Sequence, residues 1–195
     1  MKVLVTGATG FIGRRLVKLA VKSFNPAEIL CFVRNKKNSL EKSGYRVVKE
    51  LGLKTKNVDL VTGKGLKNLP KFPDLIIHLA AQAETGKKDY KCNDLGTKNL
   101  VEALEPLGPK THFVHISTMV AMSGRKDASY PFNEKEPFVP SNEYGRTKLR
   151  AEEFLLEKAR LDKFRLTILR PNTVYGANPR KNSLFDFLKK LIVKE

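Results

Sequence analysis

The chain predicts an α/β fold, a doubly wound sheet of parallel strands with helices on both faces. Three observations point there. Short, nearly continuous apolar runs such as Lys2–Thr6 and Asp74–Leu79 have the pattern of strands buried on both faces. Segments with helical apolar spacing alternate with these runs, which implies parallel pairing through right-handed crossovers. Glycines at 7, 10 and 13 stand between the first strand and the first helix. With 195 residues, 41% of them hydrophobic, the chain can bury one substantial core.

Lys2–Thr6 is the first strand and Phe11–Lys22 the first helix, carrying Phe11/Ile12, Leu16 and Leu19/Ala20 at helical spacing. Glu28–Val33 is the second strand. Ser39–Leu51 reads as helical, although Gly44 and the β-branched pair Val47-Val48 weaken the pattern. Lys56–Leu60 is a weak third strand, and Gly63, Gly65, Pro70 and Pro73 then mark a loop around one short helix. Asp74–Leu79 is the most apolar strand, Asp89–Glu105 a helix ended by Pro106 and Gly108, and Thr111–Ser117 a fifth strand. Ser141–Leu161 is a long helix with Ser141 as its N-cap. Arg165–Leu169 is a sixth strand and Leu184–Ile192 a final amphipathic helix.

In such sheets ligands gather at the carboxyl ends of the strands. That places the 7–13 loop, Arg34, Asp59, Ala80–Gln82, Thr118 and Pro171 along one rim. Gly7 permits the tight turn out of the first strand, Gly10 lets the backbone approach a pyrophosphate, and Gly13 lets the helix pack near the sheet. The helix N-terminus, with Phe11 and Ile12 between these glycines, offers free N–H groups and a positive dipole end. Strand, glycine loop and helix in this order predict a dinucleotide-binding Rossmann fold. Enzymes of this kind that prefer NAD place a carboxylate near the end of the second strand. Here that strand ends Cys31-Phe32-Val33-Arg34-Asn35-Lys36-Lys37, so Arg34, aided by Arg14 or Lys36, favours the 2′-phosphate of NADP over NAD.

Tyr144 and Lys148 share a helix face, so both can enter one cleft. A free tyrosine titrates at roughly 10 and needs help to act as a base near neutrality. A neighbouring ammonium favours the phenolate, and Lys148 can also hydrogen-bond the nicotinamide ribose. Thr118, just past the fifth strand, is placed to hydrogen-bond a substrate oxygen, with Ser117 as the substitute one position earlier. The set predicts proton transfer coupled to hydride transfer.

Composition sets the remaining bounds. No apolar run reaches the roughly eighteen residues of a membrane span, and the N-terminal run turns into glycine too soon for a signal peptide. Cys31 and Cys92 lack metal-ligand spacing and fit a reducing cytoplasm, and no metal site is expected. His78, His112 and His115 lie in strand-like stretches, where the latter two read as structural. The net charge is +17, and basic residues crowd the stretch from Arg34 to Lys71. Without interleaved aromatics it reads as a solvated lysine-rich face rather than a nucleic-acid surface.

Several motifs, in order, resemble the extended short-chain dehydrogenase/reductase family, also described as the NAD-dependent epimerase/dehydratase family. They are Val5–Gly13, Asp59-Leu60, His78-Leu79-Ala80-Ala81, Asn93–Leu100, Tyr144-Gly145-Arg146-Thr147-Lys148 and Leu169–Gly176. The resemblance implies adenine contact at Asp59-Leu60, catalytic roles for Thr118, Tyr144 and Lys148, and a cofactor site. That site takes in Gly7, Gly10, Phe11, Ile12, Gly13, Arg34, Asp59, Leu60, Leu79, Ala80, Ala81, Gln82, Tyr144, Lys148 and Pro171. It implies a small-molecule alcohol or carbonyl substrate, with NADP(H) as hydride carrier, and a homodimer through the Tyr144/Lys148 helix in the full-length form. Three departures bear on it. Ser123-Gly124 stands where sugar-nucleotide enzymes carry a tyrosine before the glycine, and Thr173 where they carry asparagine. With Arg34 these tilt the expectation toward NADP-dependent carbonyl reductases, the alternatives being a nucleotide-sugar epimerase or dehydratase and a non-catalytic or nucleic-acid-binding relative. Members also continue well past this point. Residues 1–176 are therefore expected to form the NAD(P)-binding domain and 177–195 the start of a mostly absent substrate region.

Overall fold

The computed structural model of the chain describes residues 1–34, 39–83, 89–125 and 133–177. Among them, six strands form one parallel sheet: β1 Val3–Thr6, β2 Ile29–Val33, β3 Lys54–Asn57, β4 Leu75–His78, β5 His112–Ile116 and β6 Arg165–Leu169. The helices are α1 Gly13–Ser23, α2 Ser39–Glu50, α3 Leu95–Leu104 and α4 Glu143–Asp162. Strand order is β3-β2-β1-β4-β5-β6, so the chain winds outward in both directions from β1. The crevice at this reversal lies between the carboxyl ends of β1 and β4, where Thr6 sits beside His78. The doubly wound expectation holds.

Side-chain alternation along the strands divides the core. Val3, Val5, Ile29 and Cys31 pack with Val17 and Val48 on one face. Leu4, Phe32, Ile76 and Phe113 pack with Leu100, Leu104 and Leu155 on the other. All four residues of β1 are buried, as an apolar run between two helical layers requires.

The boundaries differ from the sequence reading where polar detail decides them. The third strand is Lys54–Asn57 rather than Lys56–Leu60. Val58 and Leu60, whose apolar character drew that reading, are buried in the turn that leaves the strand. β3 is a sheet edge. Lys56 Nζ donates to the carbonyls of Lys67 and Asn68 at 2.6 and 3.1 Å, fastening the following loop beside that edge. Lysine on an edge strand also discourages pairing with other chains. The loop over residues 61–73 turns without forming a helix. α1 starts at Gly13 rather than Phe11, and α2 ends at Glu50 rather than Leu51. α3 starts at Leu95 rather than Asp89, because the Asp94 side chain accepts the Leu95 N–H at 2.8 Å and caps it there. Asn142, not Ser141, caps α4, while the Ser141 N–H goes to the Val120 carbonyl. The expected helix Leu184–Ile192 and Lys36 lie outside the described residues.

Candidate active site

A cleft of about 280 Å³ opens at the crevice beside β1. It is lined by Gly7, Gly10, Phe11, Ile12, Gly13, Arg34, Asp59, Leu60, Leu79, Ala80, Ala81 and Gln82, all expected from the sequence. Thr9, from the expected 7–13 loop, lines it as well, while Thr6, Phe32, Val58, Val61, Ala83 and Cys92 also line it and were missed. Thr6 ends β1, so the strand-end rule alone identifies it, and Phe32 stands one residue before the end of β2.

Close backbone approach shapes one wall. Gly7 has φ +69°, and a Cβ there would stand 2.7 Å from the Ala80 nitrogen. A Cβ on Gly13 would stand 2.1 Å from the Gly7 carbonyl, so the first turn of α1 meets the loop without room for a methyl. α1 has no side-chain cap and no acidic residue in its first turn. Its amino end therefore presents uncompensated positive potential to the cleft. The opposite wall is held by side chains. Asp59 Oδ1 accepts the Val61 and Thr62 N–H groups, and Asn99 Nδ2 donates to the Leu60 and Val61 carbonyls. An anionic dinucleotide fits this arrangement of open amides, glycine cradle and Arg34.

Thr118, Tyr144, Lys148 and Pro171 are not among the lining residues; Thr118 and Pro171 follow the ends of β5 and β6, and Tyr144 and Lys148 stand on α4. A Cβ on Gly145 would lie 2.6 Å from the Val120 carbonyl, so glycine lets the start of α4 press against the turn after β5. That brings Tyr144 and Lys148 toward the end of β5. The Tyr144 ring is half-buried, 6.0 Å from the Tyr90 ring. Ser117 donates to Glu152 Oε1, and Glu152 also receives Arg170, at 2.6 Å from Nη2 and 3.0 Å from Nε. Ser117 is thus occupied. Thr118 Oγ1 accepts from Val120 N at 3.2 Å, which leaves its own proton available to donate. Pro171 offers its carbonyl to Met119 N at 3.2 Å.

A buried polar network lies beneath. Thr97 donates its hydroxyl proton to the Asn93 carbonyl at 2.6 Å, so it must accept from His78 Nε2–H at 2.9 Å. His78 Nδ1 is then bare and accepts from Thr6, whose oxygen takes the Ala80 N–H at 3.1 Å. Burial pushes His78 down to about 3, with Lys148 adding to the effect, so the ring stays neutral. Asn93, wholly buried, accepts the Gln82 N–H and donates to the Gln82 carbonyl and Thr147. It ties the cleft wall to α4, a role with no local sequence signal. Lys148 is buried and donates to the Ile116 carbonyl at 2.6 Å, with His115 Nε2 at 3.3 Å. Burial pulls Lys148 down to about 8, partly opposed by Glu152. His112 bonds Thr167 across the strands at 2.8 Å, a structural use.

Among the described residues no cluster of acidic, histidine or cysteine side chains is placed to hold a metal ion. Nor is any helix there long and apolar enough to cross a membrane.

Comparison with known proteins follows the same lines. Residues 3–194 match the sequence profile described as the NAD dependent epimerase/dehydratase family. An N-acetyl-alpha-D-glucosaminyl-diphospho-ditrans,octacis-undecaprenol 4-epimerase of Escherichia coli O157:H7 is 30% identical over 97% of this chain and 53% of its own length. A UDP-glucose 4-epimerase of Vibrio cholerae is 29% identical over 98% of this chain and 57% of its own. The crystal structure of UDP-glucuronic acid 4-epimerase from Bacillus cereus, in complex with NAD, superposes with a TM-score of 0.79 at 28% identity. That match covers 100% of this chain and 63% of the other. The chain therefore spans little more than half the length of these curated relatives.

Proposed function

Because this chain belongs to the NAD dependent epimerase/dehydratase family, we propose that it carries the dinucleotide site and proton-transfer groups of an enzyme that rearranges a nucleotide-linked sugar by transient hydride transfer. The observation that carries this reading is the cleft itself. Glycine-built backbone on one side and the Asp59–Val61 turn on the other form a slot for a dinucleotide at the switch point of the sheet. The catalytic residues that the resemblance implies lie just past β5 (Thr118) and on α4 (Tyr144 and Lys148). The UDP-sugar 4-epimerases among the relatives support a nucleotide-sugar substrate over the carbonyl-reductase reading drawn from Ser123, Thr173 and Arg34.

A bound nicotinamide dinucleotide would supply the hydride acceptor. The chain's own residues do the rest. Amides at the start of α1 hold the diphosphate, and the Asp59-Leu60 turn takes the adenine. Tyr144 removes and returns a hydroxyl proton, and Thr118 donates to the same substrate oxygen. Lys148 favours the phenolate and reaches the ribose. As an ammonium below about pH 8, it is charged where Tyr144 must work. Residues 1–176 serve as the nucleotide-binding unit and 177–195 open the substrate region. Two copies associate through α4, whose Leu156 and Leu161 are 52% and 57% exposed.

Arg34 lies exposed on the cleft at the end of β2, which supports NADP over NAD. The B. cereus relative binds NAD. Calorimetric titration with both dinucleotides tests this: NADP⁺ should bind more tightly, and Arg34→Ala should remove the difference. Equal affinity for NAD⁺, unmoved by the substitution, overturns the NADP assignment. For the reaction, NADPH is offered with carbonyl compounds and, separately, the oxidised dinucleotide with a UDP-hexose. Inversion at the sugar without net NADPH consumption is expected, and sustained consumption with a carbonyl would return the reductase reading.

A further inference from the structure

His115 has no place in the mechanism above, yet it is wholly buried and its Nε2 is 3.3 Å from Lys148 Nζ. An ammonium has only protons to offer. Lys148 already donates one to the Ile116 carbonyl at 2.6 Å. While it is charged, the facing Nε2 must be bare, and a neutral His115 then carries its proton on Nδ1. That nitrogen is buried without a hydrogen-bond partner among the described residues. A buried donor without an acceptor is unfavourable, so the ring adopts this tautomer only because the ammonium requires it. Once Lys148 loses its proton, the amine gains a lone pair and the same contact can run in reverse. Nε2–H then donates to the amine, and the buried Nδ1 no longer carries an unmatched proton.

We propose that His115 is a positioning residue for Lys148 whose tautomer follows the lysine's charge: Nδ1–H against the ammonium, Nε2–H against the amine. The ring pins the ammonium at the end of β5 by accepting one N–H beside the Ile116 carbonyl. One N–H remains for a ligand in the adjoining site, a consequence that rests on the function proposed above. His115 is not a proton relay, because Nδ1 has no acceptor among the described residues.

The surroundings keep the ring neutral. His78 stacks on it from β4 at 5.4 Å, with its own proton committed to Thr97. Burial, then Lys148 and then His78, hold His115 well below the usual histidine range. Cys92, its thiol pushed up by burial, stands before α3. Glu152 faces Lys148 from α4 but is tied to Arg170 and Ser117.

Nitrogen NMR of the full chain labelled at histidine tests this without any cofactor, with His115→Gln assigning its signals among the three histidines. At about pH 6.5, His115 should read as the Nδ1–H tautomer. It should pass to Nε2–H with a midpoint near the Lys148 value of about 8, never becoming imidazolium in that range. Nε2–H at neutral pH, or an imidazolium, overturns the proposal. A second measurement follows NAD⁺ and NADP⁺ affinity against pH. His115→Leu removes the acceptor that holds the ammonium, so affinity near pH 6.5 should fall by about tenfold. His115→Gln, whose amide oxygen can accept, should restore most of it. Unchanged affinity near about pH 6.5 in a folded Leu variant also overturns the proposal. Failure of every form to bind either dinucleotide would instead reject the proposed function, leaving the tautomer result to stand or fall alone.

Discussion

The first turns of α1 and α4 are finished in opposite ways. Ile12, at the cap position of α1, makes no side-chain cap, the first turn has no acidic residue, and Arg14 and Arg15 follow at once. Asn142 caps α4, its side chain accepting the Gly145 N–H at 2.9 Å, with Glu143 in the first turn. An open end leaves amides and dipole for an anion; a closed end is complete in itself and serves to aim side chains. The two halves of the sheet extend the contrast. Beside β1 and β2 the cleft wall is backbone brought close by glycine. Around β4, β5 and α4 the site rests on buried polar side chains, His78, His115, Lys148 and Glu152. One half depends on the absence of atoms, the other on the pairing of charges.

The sharpest way to break the second half is Glu152→Ala. Glu152 is 1% exposed and is paired with Arg170, itself only 15% exposed at the side chain. Removing one partner of such a pair leaves a buried charge uncompensated, at a cost of about 3–5 kcal/mol. Urea denaturation measures it, and a loss below about 1 kcal/mol would mean that the pair contributes little beyond a surface bridge. The matching substitution in the first half is Gly13→Ala. Its Cβ would meet the Gly7 carbonyl at 2.1 Å and Ala8 Cα at 2.7 Å, so the backbone must move. A stability loss of about 1–3 kcal/mol is expected. Dinucleotide affinity, read by calorimetry, should drop with it because the displaced turn is the phosphate cradle. Unchanged stability and affinity together would remove the claim that close approach builds this wall.

The same contrast explains what could be read before the fold was known. Glycine at 7, 10 and 13 is a local signal of close backbone approach, and the cleft contains all three with Arg34, Asp59 and Ala80–Gln82, though not Thr118 or Pro171, which the strand-end rule also nominated. β6 was legible to the residue because Arg165–Leu169 is bounded by clear breaks. β3 was not, since its apolar neighbours Val58 and Leu60 are buried beyond the strand while exposed Lys54 lies within it. The network of Thr6, His78, Asn93, Thr97, His115 and Lys148 draws on β1, β4, α3, β5 and α4. No spacing in the chain records such a meeting. His115 read as merely structural because its partner is distant in sequence.

Acid should act on the second half alone. His78 titrates at about 3 in the fold against 6.5 unperturbed, so below about pH 6.5 the unfolded chain takes up a proton that the folded chain refuses. Stability is full above that pH and declines as pH falls toward 3, by about 1.4 kcal/mol per pH unit from His78. His115 shifts in the same direction and adds to the slope. Denaturation midpoints between about pH 6.5 and 5, before carboxylates titrate, isolate the histidines. A flat profile there would show that the rings are accessible to protons, and the buried network would lose its foundation.

The mildest test returns to the helix ends. Asn142→Ala removes the cap of α4, and losing such a cap costs about 1 kcal/mol. The loss should appear in denaturation while NAD⁺ and NADP⁺ affinity stays the same, because the phosphates are held at α1 and Lys148 is fixed from β5 by the Ile116 carbonyl and His115. A fall in dinucleotide affinity as large as that of Gly13→Ala would mean that the amino end of α4 also faces the ligand. The division between an end that binds and an end that aims would then fail, even with both helices intact.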